Sequence, residues 1–140
     1  MTPTQIALVQ QSFRRISPHS EIVGAMFYRN LFVLDPSLRP MFGDVKVQGR
    51  KLMTMLATVV AGLERLDQLL PVVKALGARH AGYGVEPEHY DTVAAALLQT
   101  LEQGLGPAFG EPVREAWTTA YSTLADVMIA AAQVPQKAAA

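Results

Sequence analysis

Apolar residues recur at steps of three and four along almost the whole of this chain, and that period dictates helices. Ile6, Val9, Phe13 and Ile16 form the first stripe. Leu52, Leu56, Val59 (or Val60) and Leu63 form another, followed by Leu69, Val73, Leu76 and His80. Tyr90, Val93, Leu97 and Leu101 share a face further on, and Val113, Trp117, Ala120, Leu124, Val127 and Ala131 close the series. β-Branched residues are scattered and never alternate over a useful length, so no strand is predicted. No internal repeat is visible.

Breakers and caps divide the stripes into elements. Thr2 caps the first helix, Pro3 takes its first position and Gln5 completes a capping box. Ser17-Pro18 ends it. A second helix is expected over Ser20 to Leu34, with Ile22, Met26 and Val33 among its apolar positions. Asp35-Pro36 stops that helix and starts a short segment that ends at Met41-Phe42-Gly43-Asp44. Long helices are expected from Val47 to Arg65 and from Asp67 to His80. The breaker Ala81-Gly82-Tyr83-Gly84-Val85 follows. Glu86-Pro87-Glu88 opens another helix, Gly104 to Gly110 reads as a loop, and the last helix starts near Glu111-Pro112. The sum is an all-α domain over residues 1–133 with about seven helices, counting the short one. The tail, 134–140, has no apolar periodicity and is expected to fray.

Composition narrows the function classes. Of 140 residues, 50% are hydrophobic and 17% charged, enough for a core and too apolar for disorder. Formal net charge is +0, which removes the electrostatic case for nucleic acid. The chain has no cysteine, which excludes disulfides, thiolate catalysis and iron–sulfur ligation. No apolar run is long enough to span a membrane. The first residues lack the pattern of a signal peptide, so a cytoplasmic protein is expected.

His80 is the residue that solubility does not explain. It closes an apolar stripe, where an imidazole needs a partner. Spacing alone leaves open a carbonyl, a water or a metal, because a histidine in the last turn of a helix also suits the dipole. Tyr28, Phe42 and Gln48 are each unremarkable singly. Trp117, Met53 and Met55 read as packing residues. Gly104-x-Gly106 follows no strand, so it makes no phosphate loop. Glu86 and Glu88 fit a solvated helix start.

Taken jointly, the residues resemble the globin family over nearly the whole chain. The resemblance rests on Phe27-Tyr28-x-x-Leu31-Phe32, Pro36 with Phe42, Gln48-x-x-x-Leu52, Arg79-His80-x-x-x-Gly84-Val85, Tyr90 and Ala116-Trp117. It is closest to bacterial single-domain globins and to the globin domain of flavohaemoglobins. It implies a globin fold around haem b, with His80 as the proximal iron ligand and Phe42 stacked on the porphyrin. Tyr28, Gln48 and Leu52 would line the ligand side, with Leu56, Val85 and Leu97 as apolar contacts. Tyr90 matches a proximal-side tyrosine, and Arg50, Lys51 and Arg79 are candidate propionate partners.

The implied function is reversible binding of dioxygen, with nitric oxide and carbon monoxide as further ligands. A Tyr hydroxyl and a Gln amide can each donate to the bound gas, at about 0.5–1.5 kcal/mol net per neutral bond. Two donors should slow release, which suits scavenging or chemistry better than bulk transport. Gln48 stands where many globins have a histidine, and His19 and His89 are badly placed, so no bis-histidine coordination is expected.

The chain departs from flavohaemoglobins in two ways. Their proximal carboxylate falls near Ala132, in the run Ala130-Ala131-Ala132-Gln133, and Asp126 lies almost two turns earlier. The strong electron push to the axial histidine is therefore not expected. The chain also ends where a flavin domain would begin, so nitric oxide dioxygenation would draw on an external reductase. That enzyme, a haem-based gas sensor and a haem-free helical interaction module are the alternatives to a dioxygen binder.

Overall fold

The computed structural model describes residues 1–82 and 84–133; Tyr83 and the expected tail, 134–140, lie outside the described residues. The helices are α1 (Pro3–Ile16), α2 (Ser20–Leu34), α3 (Val45–Ala61), α4 (Leu66–Gly82), α5 (Pro87–Leu105) and α6 (Glu111–Gln133). Short 3₁₀ turns at Ser17–His19, Pro36–Met41, Leu63–Arg65 and Gly106–Ala108 connect them. Among the described residues there is no strand, and counting Pro36–Met41 with the six helices gives the seven expected segments.

Local chemistry sets the helix starts. The Gln5 amide donates to Thr2 Oγ1 at 3.1 Å and the Thr2 amide to Gln5 Oε1 at 3.0 Å, the reciprocal pair the sequence predicts. Asp35 accepts from the Ser37 amide at 3.1 Å, and Pro36 follows it. Asp44 accepts from the Lys46 amide at 2.9 Å, so α3 begins at Val45, before the expected Val47.

Two further boundaries and one helix face differ from expectation. Gly62 ends α3 at Ala61, and Leu63–Arg65 form a separate 3₁₀ turn, because the apolar stripe continues across a corner that the backbone does not. Residues 104 and 105 are not loop: α5 runs to Leu105, which packs in the core, and stops at Gly106 with φ +57°. In α2 the side chains of Ile22 and Val33 are 63% and 75% exposed, and the buried face is Val23, Gly24, Phe27, Tyr28, Asn30 and Leu31.

One core joins α1, α2, α3, α5 and α6. Val9, Phe13, Phe27, Leu31, Leu97, Leu101, Ala116 and Trp117 are among its members. α2 crosses both α3 and α5, α1 lies on α6, and α4 packs mainly along α6. The α2–α3 crossing is close enough to crowd any side chain at position 24: a Cβ on Gly24 would lie 3.0 Å from the Gly49 Cα and carbonyl oxygen. Buried polar groups are paired across helices. Asn30 Nδ2 donates to Thr100 Oγ1 at 2.9 Å and to Gln103 Oε1 at 3.0 Å, and Trp117 Nε1 donates to Ser12 Oγ at 2.8 Å. Among the described residues no helix is long and apolar enough to cross a membrane.

Candidate functional site

α3 and α4 leave the corner at residues 62–65 without packing along one another among the described residues. The gap that α3 and α4 leave between them is a slot, and the candidate residues are carried by α2, α3, α4, α5 and the turns beside them. Leu52 and Leu56 on α3, and Val85 after α4, are half-buried. Leu97 and Tyr90 on α5 are buried. The α2–α3 glycine crossing sits one turn before Tyr28 on one helix and directly after Gln48 on the other. It therefore fixes the relative height of those two side chains.

His80 sits in the last turn of α4, half-buried. Its Nδ1 lies 2.8 Å from the Leu76 carbonyl oxygen. A carbonyl only accepts, so Nδ1 carries the proton and Nε2 carries the lone pair. Burial is the first cause holding the imidazole below its ordinary pKa; the Leu76 hydrogen bond opposes it and the charge of Arg79 adds to it. The neutral form is favoured, which a metal ligand requires. Beyond His80 the chain bends sharply. The Val85 amide donates to the His80 carbonyl at 3.1 Å, and Gly84 takes φ +82°, a left-handed turn that glycine adopts without strain.

Tyr28 is 5% exposed, and its hydroxyl makes no hydrogen bond among the described residues. Burial pushes its phenol up to about 12, so at neutral pH it keeps its proton and can donate a hydrogen bond. An aromatic cluster surrounds it. The Tyr28 ring meets Phe27 edge-on at 5.0 Å, Phe42 edge-on at 5.2 Å and Phe32 at 5.9 Å. Arg39 holds the Phe42 corner: it lies 5.4 Å over the Phe32 ring and donates to the Phe42 carbonyl at 2.9 Å. Gln48 is half-buried near the start of α3, one turn before Leu52.

The remaining candidates separate by exposure. Arg50, Lys51 and Arg79 are exposed, and Arg50 makes a surface ion pair with Glu21 at 3.4 Å. The Tyr90 hydroxyl is buried without a hydrogen-bond partner, while the Tyr121 hydroxyl donates to the Tyr90 carbonyl at 2.7 Å. Ala132 is half-buried, and Asp126 is exposed. His19 is exposed. His89 Nδ1 accepts the Glu86 amide at 2.8 Å, which occupies it at the start of α5. Among the described residues no group of three or more His, Cys, Asp or Glu side chains could hold a bare metal ion.

The donor set fits a haem: one neutral imidazole with an oriented ring, half-buried apolar walls, and a buried phenol with no protein acceptor. Arg39, Asn30 and Ser12 were not singled out from the sequence. Arg39 follows Leu38 in an exposed turn, and its pairing with Phe32 and Phe42 is a tertiary fact with no periodic signal.

Helices crossing in this order define an all-helical fold of the globin class. The chain belongs to the globin family, whose profile matches residues 25–128. Membership implies haem and diatomic-gas binding. The chain is 33% identical over 133 residues to a flavohemoprotein of Bordetella parapertussis, covering 92% of this chain and 33% of the relative. It is 30% identical over 128 residues to a flavohemoprotein of Bacillus subtilis, covering 89% and 32% respectively. The chain thus spans about a third of the length of these curated relatives. An engineered carbene transferase from Rhodothermus marinus superposes with a TM-score of 0.85 at 26% identity, over 94% of this chain and 93% of that one. A bacterial globin from Campylobacter jejuni superposes with a TM-score of 0.83 at 26% identity, over 94% and 96%.

Proposed function

We propose that the chain holds haem b in the slot between α3 and α4, with His80 Nε2 as the axial ligand, and binds dioxygen reversibly. The observation that carries this reading is the 2.8 Å bond from His80 Nδ1 to the Leu76 carbonyl. It selects the tautomer a metal needs and fixes the ring's rotation, so little ordering is left for binding to cost. When bound, the haem supplies an iron with one open coordination position, where dioxygen, nitric oxide or carbon monoxide can sit.

The chain's own residues do the rest. Tyr28 would donate a hydrogen bond from a phenol that stays neutral, and the Gln48 amide would be the second donor. Leu52 borders the same side. Phe42, Leu56, Val85, Leu97 and the ring of Tyr90 exclude water from the porphyrin faces. Arg79, exposed and next to His80, is the basic residue we assign to a propionate. His19 and His89 are not candidates for a second iron ligand, so His80 would be the one histidine to hold the iron.

Visible spectra of the ferric, deoxy-ferrous and dioxygen-bound forms test the whole reading. The wild type is expected to give a high-spin ferrous spectrum and a stable dioxygen adduct. His80→Ala is expected to lose the axial-ligand signature. The same signature in both proteins would end the assignment of His80.

Similarity to the two flavohemoproteins supports a second reading, nitric oxide dioxygenation with a separate reductase. The alanine at position 132 weighs against it, since no carboxylate is there to raise the electron donation of His80. Sustained nitrate formation with a flavin reductase would favour this enzyme; a single turnover would not distinguish the two.

A further inference from the structure

α4 meets α6 with no room for a side chain at position 77. A Cβ built on Gly77 would lie 2.5 Å from the Met128 carbonyl oxygen, 2.6 Å from its Cα and 2.9 Å from its carbonyl carbon. All three are backbone atoms inside a helix, so no change of rotamer makes way. Gly62 and Gly104 differ in kind. A Cβ on Gly62 would come closest to Leu69 Cδ1, at 3.1 Å, and one on Gly104 would touch only Ile16 Cγ2, at 3.5 Å. Those are tips of side chains, which can yield. Gly77 does not have a positive φ, so its backbone conformation does not call for glycine. An interior glycine weakens a helix relative to alanine. Close approach to Met128 is the reason left for it.

His80 lies three residues beyond Gly77, on the neighbouring face of the same helix. Leu76, whose carbonyl holds the His80 ring, adjoins Gly77 on the other side. α4 does not pack along α3 among the described residues, and its main support is α6. The position of the imidazole is therefore tied to how deeply α4 seats on α6, at a contact one turn away on the adjoining face.

We propose that Gly77 is a positioning residue: it seats α4 against Met128 of α6 and so fixes how far the His80 imidazole projects into the slot. The consequence for iron ligation rests on the reading of His80 as the axial ligand. A Cβ at position 77 forces α4 off α6, and the imidazole moves with its helix.

The test uses the full chain, haem-free and reconstituted with haem b, as wild type, Gly77→Ala and Gly62→Ala. In the haem-free protein the nuclear Overhauser contact between the Hα protons of residues 77 and 128 is expected to weaken in Gly77→Ala. In the ferrous haem protein the iron–histidine stretching band is expected to shift, and haem loss to an acceptor apoprotein to speed up about tenfold. Gly62→Ala is expected to keep both at wild-type values. An unmoved band with unchanged haem loss in Gly77→Ala overturns the proposal, even if its melting temperature falls.

If Gly77→Ala does not fold, Ala125→Ser supplies a smaller wedge. Ala125 is buried on α6 one turn before Met128, on the same face. The same displacements are expected there at lower amplitude, and their absence overturns the proposal. A wild-type chain that takes up no haem sinks the ligand reading instead. The Overhauser contact then decides the seating alone: its loss in the variant supports the role of Gly77, and its persistence at full strength overturns it.

Discussion

Gly24 and Gly49 touch backbone to backbone where α2 crosses α3, and the contact is not symmetric. A Cβ on Gly24 would lie 3.0 Å from the Gly49 Cα, whereas one on Gly49 would lie 3.4 Å from Gly24, an ordinary contact. Alanine at either position gains helix propensity, up to about 1 kcal/mol. At position 24 the crowding meets rigid backbone and outweighs that gain. Gly24→Ala is expected to lose ~1–2 kcal/mol of unfolding free energy, in the range of overpacked cores. Gly49→Ala is expected to be near neutral. Denaturant melts of the two variants check this, and equal losses would refute the asymmetry.

The same crossing fixes the relative height of Tyr28 and Gln48, and the two proposed donors are not equal in kind. Tyr28 is buried with its hydroxyl bonded to nothing among the described residues, so its proton is available to a ligand. Gln48 is half-buried and nearer solvent. Tyr28→Phe is expected to raise the dioxygen dissociation rate about tenfold or more, the worth of one hydrogen bond to a charged acceptor. Gln48→Leu is expected to have a smaller effect. Stopped-flow displacement by carbon monoxide measures both rates, and an unchanged rate in Tyr28→Phe removes Tyr28 from the distal role.

What could be read in the chain beforehand follows from which relations are periodic. The stripes ending in His80 and Leu101 place α4 and α5 correctly, because a helix that buries one face must repeat its apolar residues. The capping box at Thr2 and Gln5 is local, and it forms as written. The buried face of α2 could not be read. Its sequence is apolar nearly all the way round, from Ile22 to Leu34. The choice falls to Gly24 against Gly49 and to Asn30 against Thr100, pairs far apart in the chain. The end of α3 was legible in principle, since Gly62 interrupts a stripe that resumes at Leu63. Within the site, His80 stood out as polar on an apolar face. Gly77 did not, because a glycine in a helix carries no sign of the carbonyl pressed against it.

Trp117 looked like a packing residue, yet its indole is also anchored through a hydrogen bond. Nε1 donates to Ser12 Oγ at 2.8 Å, and that hydroxyl donates in turn to the Leu8 carbonyl at 2.7 Å. Ser12→Ala leaves a buried N–H with no acceptor, at a cost of about 1–3 kcal/mol. Trp117→Phe removes the donor as well, so the double variant should be more stable than the sum of the single losses predicts. Additive losses in thermal or urea melts would show that the bond contributes nothing.

Alkaline pH gives an independent reading of the Tyr28 environment. Burial raises its phenol from 10.0 to about 12, and burial also raises Tyr90 and Tyr121. In the unfolded chain each of these phenols ionises near 10. Between the two values the unfolded state binds fewer protons than the folded one, so stability falls as pH rises. The Tyr28 contribution is therefore intact below pH ~10 and is lost by about pH 12, on the order of 2 kcal/mol. Spectrophotometric titration is expected to show phenolate absorbance appearing late, and Tyr28→Phe to remove one of the late steps. The urea midpoint of the wild type is expected to decline above pH ~10, and that of Tyr28→Phe to decline less. If every tyrosine of the folded protein ionised at the ordinary value, Tyr28 would be solvated, and the neutral donor that the distal role needs would have no shelter.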